Sequence, residues 1–325
     1  MEARLQPVNA ILGLVIAGDV NPPLLADAGF RVVGLEVPAV GPAGKAVIDV
    51  LLFHEATNHL VQCESKSGAN IEEGQARAYA AMPAANAVQA AYVNLRHRTT
   101  PTIETLYLCL EEHAERIRLG LKTIDIAFPV LGVGYRRLEL HDDEYASELL
   151  RAPLQGGVTL KAPPPRLIAF DPESPAEAVE RQVRPTMVAE LSKRTSHISL
   201  TGLTERVAPH YGLYGHAAQN KLKSVVRAAV VKIAEATPDR FAFDPPANSR
   251  PEGLIRFLRT PEDHDPRGRT QAYQALARMG QATPRRRRAA TNPNPDQMDL
   301  LSELSTVDND AEDIDTMADE EGSQS

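Results

Sequence analysis

Two acids and an amine, Asp49, Glu64 and Lys66, are the residues whose types and spacing could do chemistry. Ile48–Phe53 and Leu60–Ser65 are short apolar runs joined by His54–His59, a pattern that predicts a β-hairpin. Side chains alternate along a strand, so Glu64 and Lys66 share one face while Cys63 and Ser65 point the other way. Asp49 lies on the neighbouring strand, where pairing could bring its carboxylate beside Glu64. Two acids and an amine on one sheet face are costly to bury unpaired, and a divalent cation relieves that cost.

The elements around the hairpin must position these groups. Asn70 and Glu73 have N-cap and N3 spacing, which predicts a helix opened by a capping box and stopped by Pro83. Ile71, Gln75, Ala78, Tyr79 and Met82 fall on one stripe of that helix, so Gln75 and Tyr79 lie one turn apart on its inward face. An inward glutamine needs a partner, and the carboxylate site is the nearest candidate.

Asp49, then Glu64-Ser65-Lys66, then Gln75-x-x-x-Tyr79 resembles the PD-(D/E)xK nuclease superfamily, with the trailing motif of its RecB-type members. The resemblance implies a restriction-endonuclease-like mixed sheet flanked by helices. It also implies a divalent metal, Mg2+ or alternatively Mn2+, held by Asp49 and Glu64. Lys66 would orient or activate the attacking water and stabilise the phosphate, and Gln75 and Tyr79 would support the site or contact the strand. The implied activity is metal-dependent hydrolysis of DNA phosphodiester bonds, restriction- or repair-like, and endonucleolytic rather than exonucleolytic. A non-catalytic DNA-binding regulator on a remnant nuclease fold is the alternative. Ile48 stands where the family often has proline. Many members carry an acid on the helix before the first strand, for which Asp19, Asp27 and Glu36 are the candidates. Taken singly, all these residues also fit a solvated hairpin with ordinary charges and a core tyrosine.

Length and composition bound the rest. The chain has 325 residues, room for two domains with proper cores, and 43% of them are hydrophobic. No uninterrupted apolar run reaches the length of a membrane span. The opening MEARLQPVNAILGLVIAGDV is broken by Asn9 and Asp19 and lacks a clear cleavage site, so the expectation is a cytoplasmic protein with no membrane partner. Cys63 and Cys109 form no metal-ligand pair and read as reduced core residues. The net charge of −8 is set by eleven acids in residues 289–325, which contain no Lys or Arg; residues 1–288 carry +3, compatible with a nucleic-acid partner.

Three regions are expected. Residues 1–160 read as the nuclease-like α/β domain, with strands at Arg31–Pro38, Ala90–Leu95 and from Ile124, and a helix over Thr102–Gly120. Gly156–Pro175, rich in Pro and Gly, reads as a connection. Residues 161–280 carry helical patterns at Pro175–Arg194, Leu200–Pro209 and Gly215–Ala236, then paired strands at Arg240–Phe243 and Leu254–Leu258. Three helices and a two-stranded ribbon resemble a winged-helix DNA-binding domain. Its recognition helix would start at Gly215, with Leu222, Val225, Val226, Ala229 and Ile233 buried and His216, Asn220, Lys223, Ser224 and Arg227 opposite. Asn220, Lys223 and Arg227, with Arg256 on the wing and Arg250 and Arg259 near it, are the expected DNA contacts. A helical domain with an ordinary solvated face would show the same pattern. Residues 281–325 should be disordered; Arg285–Arg288 read either as a DNA-binding or nucleolar-type patch or as part of a solubilising tail, and the acidic run after them could meet a protein partner. A homodimer is compatible with all of this.

Several shorter matches fail. In His54–His59 the second histidine is five residues after the first, so the pair would splay apart on a zinc-protease helix. Gly41-Pro-Ala-Gly44-Lys45 has its first glycine too close for a phosphate loop, and Ala46 replaces the magnesium-binding hydroxyl. Gly132-Val-Gly134 lacks a third glycine, and no Gly-x-Ser-x-Gly elbow occurs.

Overall fold

The computed structural model describes residues 4–16, 18, 20–95, 99–142, 145–248, 252–260 and 266–279. Asp19, Arg250 and the expected acidic tail with Arg285–Arg288 lie outside the described residues.

Helix α1 (Leu5–Val15) is buried along almost its whole length, because its sequence is apolar on every side. Its one polar interior residue, Asn9, donates to the carbonyls of Leu5 and Ile168 and accepts from the Ile168 N–H. A short α2 (Leu24–Asp27) leads into β1 (Phe30–Gly41), β2 (Gly44–His54) and β3 (His59–Lys66). Helices α3 (Glu73–Ala80) and α4 (Ala84–Ala90) follow, then β4 (Thr102–Leu110), α5 (Glu111–Thr123), β5 (Val130–Val133), β6 (Arg137–His141), α6 (Glu148–Leu154) and β7 (Val158–Thr159). The seven strands form one mixed sheet in chain order, β1 to β7. The β3–β4 and β4–β5 pairs are parallel and the other four antiparallel, so the expected α/β architecture with a helix-flanked mixed sheet is present.

Three local expectations are corrected. Thr102–Leu110 is strand β4, and the helix begins only at Glu111. Thr102–Leu110 reads as helical because β4 is central: Leu106 and Leu108 pack with the α1 side while Tyr107 and Cys109 pack with the α5 side. A strand buried on both faces reads as a continuous apolar run and loses its alternation. Ala90–Leu95 forms no strand; it is the end of α4, an alanine-rich segment of high helix propensity, and the turn after it. The capping box is also absent. The N-cap of α3 is Glu72, without a side-chain cap, and Asn70 stays in the preceding loop. Strand β3 runs through Lys66 before the chain turns, and bonds from α3 to the β3 side chains set where the helix lies.

The second half comprises α7 (Ala176–Ser192), β8 (His197–Ser199), α8 (Leu200–Val207), a 3-10 turn (Tyr211–Leu213), α9 (His216–Ala236), β9 (Phe241–Asp244), β10 (Leu254–Phe257) and α10 (Pro266–Arg278). Its strands form a separate antiparallel sheet in the order β8-β10-β9. The α9 stripe is as expected, with Leu222, Val226, Ala229 and Ile233 buried and Val225 partly so.

One hydrophobic cluster runs from Leu5 to Leu276, joining Val50, Val61 and Leu106 of the large sheet to Val183, Leu203 and Ile255 of the second half. No break in it falls at residue 160. A second tie is backbone to backbone: the Gly215 N–H at the start of α9 donates to the Leu35 carbonyl of β1 at 2.9 Å. Among the described residues, no helix is long and apolar enough to cross a membrane.

A Cβ on Gly215 would stand 2.8 Å from the Glu36 carbonyl oxygen and 2.9 Å from Pro38 Cδ. Backbone cannot move aside cheaply, so Gly215→Val should lower stability by ~1–3 kcal/mol. A single two-state thermal or urea transition, shifted as a whole, is the expected result if the halves fold as one unit.

Candidate active site

The site lies where the large sheet comes apart. Pairing of β2 with β3 runs from His54–His59 to Val50–Cys63 and stops one residue short of Asp49 and Glu64. The Asp49 side chain replaces the missing ladder bond, its Oδ2 accepting the Ser65 N–H at 2.6 Å. Alternation along β2 breaks at the same place: Ile48 and Leu51 pack on the α3 side, Val50 and Leu52 on the α1 side. On β1, Leu35–Val50 and Val37–Ile48 bracket Glu36 opposite Asp49, and Glu36 has a left-handed backbone with φ 46°. The strands open around a cleft of about 320 Å3 that Glu36, Asp49, Glu64, Lys66 and Gln75 line.

Helix α3 locks the far side. Glu64 is only 4% exposed. Its Oε1 lies 2.9 Å from Lys66 Nζ, and its Oε2 accepts from the Tyr79 hydroxyl at 2.6 Å. Lys66 Nζ also donates to Gln75 Oε1 at 2.5 Å. The Tyr79 oxygen lies 2.5 Å from the Val47 carbonyl as well, so one hydroxyl proton faces two acceptors. Gln75 and Tyr79 thus reach the two charged residues of Glu64-Ser65-Lys66 one each. Burial, then the nearby Glu64 carboxylate, push the Tyr79 phenol far above its ordinary range, so it remains a donor.

The cleft is rich in acid. Six carboxylates line it (Glu36, Asp49, Glu64, Glu72, Asp171 and Glu173) against two cations, Arg4 and Lys66. Arg4 pairs with Asp171 at 2.5 Å and Glu173 at 3.1 Å. Burial, and next the Glu64 carboxylate, hold the Asp49 pKa well above the usual value, and the Ser65 N–H opposes them in part. Burial and then Asp171 raise Glu36 to about 7. Among the described residues no group of three or more His, Cys, Asp or Glu side chains forms a ready-made metal cage. Asp49 and Glu64 instead offer two carboxylates in an oxygen-rich cleft. That donor set suits magnesium, which keeps several waters and binds through one or two carboxylates.

The structure therefore brings Asp49, Glu64, Lys66, Gln75 and Tyr79 together. Of the three candidates for a further acid, Glu36 lines the cleft, from a strand rather than a helix, whereas Asp27 is exposed at the end of α2 and takes no part in the lining. Arg4, Asp171, Glu173 and Tyr214 were missed. They arrive from distant parts of the chain, and nothing local in the sequence marks them. The second-half residues divide. Asn220, Lys223 and Arg227 line a groove of about 400 Å3 with Thr201, Ser224 and Glu252, and the Arg227 guanidinium lies 5.7 Å from the Phe243 ring centroid. Arg256 is not in that lining; its guanidinium pairs with both oxygens of Asp244, at 2.9 and 3.1 Å. Compared with known proteins, the chain matches no family model, no curated protein and no solved structure.

Folding raises the Glu36 pKa from 4.5 to about 7. The stability that goes with the neutral carboxyl is therefore complete below pH 4.5 and lost as pH rises through 7. In metal-free buffer, Glu36→Gln should melt with wild type at about pH 4 and above it at about pH 8. A melting-temperature series across that range checks it.

Proposed function

We propose that this chain is a divalent-metal-dependent deoxyribonuclease of PD-(D/E)xK type, with Asp49 and Glu64 as the ligands of Mg2+ or Mn2+. One observation carries the proposal. The Gln75-x-x-x-Tyr79 pair engages the E-x-K pair residue for residue, Gln75 to Lys66 and Tyr79 to Glu64, beside Asp49 in one cleft. Ordinary surface charges have no reason to converge in this way.

A bound ion would supply Lewis-acid polarisation of the phosphoryl oxygen and an acidified water. The chain's own groups do the positioning. Tyr79 fixes the Glu64 carboxylate by its hydroxyl, and the Ser65 N–H fixes that of Asp49. Gln75 aims the Lys66 ammonium, which sets positive charge where negative charge builds up on the phosphate and orients the attacking water. The excess of acid groups over cations in the cleft disfavours a phosphate unless a metal cation intervenes, so substrate and metal are expected to bind together.

Mutation separates the roles. Asp49→Ala and Glu64→Ala should each reduce magnesium-dependent cleavage of supercoiled, linear and single-stranded DNA at least ~100-fold while sparing DNA binding. Lys66→Ala should lose turnover yet keep metal binding, read by calorimetry. Full activity in all three variants would overturn the proposal. Both Glu64 oxygens already have partners, which favours a second reading: a DNA-binding regulator on a remnant nuclease fold. Binding without cleavage at any metal concentration would select it.

The helix–strand–helix–helix–strand–strand order from α7 to β10, with β10 between β8 and β9, supports a winged-helix module presenting α9 to DNA. Replacing Lys223 and Arg227 together by alanine should weaken duplex binding and flatten its log–log salt slope by about 2. Arg256→Ala should change little, because Asp244 already neutralises that guanidinium. Fluorescence anisotropy at two or more salt concentrations reads both.

A further inference from the structure

The β5–β6 hairpin has a two-residue tip, Tyr135-Arg136. The Gly134 N–H closes it on the Arg137 carbonyl at 2.8 Å, and the Leu160 N–H braces the Arg136 carbonyl from outside, also at 2.8 Å. On this fixed support the Tyr135 ring is 73% exposed. The Arg136 guanidinium lies 5.7 Å from that ring's centroid and carries no ion pair among the described residues. Exposed Lys161 follows Leu160, so the tip is locally basic, with Glu139 occupied by Arg137 at 3.0 Å. An exposed aromatic face with a free guanidinium beside it is the surface on which unpaired bases stack; a duplex hides those faces.

The tip also lies at the right end of the sheet. Strands β3, β4 and β5 are parallel, so the chain leaves β5 at the end of the sheet where β3 delivers Lys66. The register sets Lys66 beside Cys109 and Cys109 beside Gly132, three residues before Tyr135. Two strand spacings of ~5 Å and three residue rises of ~3.3 Å place the tip ~14 Å from Lys66. A nucleic-acid strand covers that distance in about four steps.

We propose that Tyr135 and Arg136 form a stacking platform for an unpaired base of a nucleic-acid strand that runs to the Asp49–Glu64–Lys66 cleft. The substrate class is then single-stranded nucleic acid, free or as an unpaired flap, rather than continuous duplex. The strand's path rests on the nuclease reading, whereas the platform does not.

The test is binding by the full chain in EDTA, where cleavage cannot contribute. The probes are fluorescein-labelled oligothymidylate, oligouridylate and a fully paired hairpin duplex. Tyr135→Ala should weaken single-strand binding by about ten-fold and leave the duplex unaffected, while Tyr135→Phe should bind like wild type. Arg136→Ala should weaken single-strand binding and lower its salt slope by about one. Stronger binding of thymidylate would assign DNA to the platform, and of uridylate RNA. Unchanged single-strand affinity in a Tyr135→Ala protein with a wild-type melt would overturn the platform, as would equal losses on duplex and single strand. A Tyr135→Phe loss as large as that of alanine would also overturn it. So would a drop in self-association by sedimentation with nucleic-acid binding intact, since the tip would then be a protein contact. Failure to cleave any substrate with any metal would sink the nuclease reading alone and leave these binding results standing.

Discussion

The burial of the Glu64 carboxylate is the constraint on which the rest of the site depends. A carboxylate at 4% exposure is tolerable only if its oxygens are partnered, and Lys66 and Tyr79 each partner one of them. Leaving such a charge with one partner fewer typically costs ~3–5 kcal/mol. This requirement sets where α3 lies against β3, and it holds Lys66 in the lining of the cleft. Helix α3 itself has only eight residues and no side-chain cap, so little of its position comes from its own stability. Its bonds to β3 and the burial of Tyr79 hold it.

The opening of the sheet beside Glu64 has a physical cause on each strand. On β2 the ladder ends and Asp49 supplies the missing acceptor. On β1 the left-handed backbone of Glu36 turns the strand out of its regular alternation, a conformation that typically costs ~1–3 kcal/mol in a non-glycine residue. It persists because the start of α9 clamps the same stretch of β1. Gly215 bonds to Leu35 and comes so close to the Glu36 carbonyl that only glycine fits without displacement. The helix proposed to meet DNA is thus anchored at its first turn to the strand that forms one wall of the cleft. With one continuous core beneath both halves, a ligand on α9 and a ligand in the cleft would be held by a single body.

Charge is divided just as sharply. The cleft concentrates carboxylates, while the positive groups that could meet a polyanion stand outside it, on α9 and at the β5–β6 tip. In the proposed nuclease, separate basic contacts would bring the backbone in and the acids would hold the cation that lets one phosphate approach.

The order of Asp49, Glu64-Ser65-Lys66 and Gln75-x-x-x-Tyr79, by itself, carried the hairpin, the inward face of α3 and the meeting of five side chains, because each rests on a short-range period of two or 3.6 residues. The same local patterns carried the helices and ribbon of the second half and the buried stripe of α9. They failed at Thr102–Leu110, where burial on both sheet faces erased the alternation that marks a strand. They failed again at Ala90–Leu95, where the helix propensity of the alanine-rich α4 won over the short apolar run, and at Asn70, where bonds from α3 to the β3 side chains set the start of the helix. Glu36 was legible only as one of three acids; its left-handed backbone and its place opposite Asp49 depend on β1 meeting both β2 and α9. Arg4, Asp171, Glu173 and Tyr214 reach the cleft from separations of up to about two hundred residues, and no local period encodes contacts at that range. Which cations stay free was likewise a tertiary outcome. Arg256 looked available until Asp244 claimed it from the adjacent strand, because an ion pair depends on which side chains the fold sets within reach.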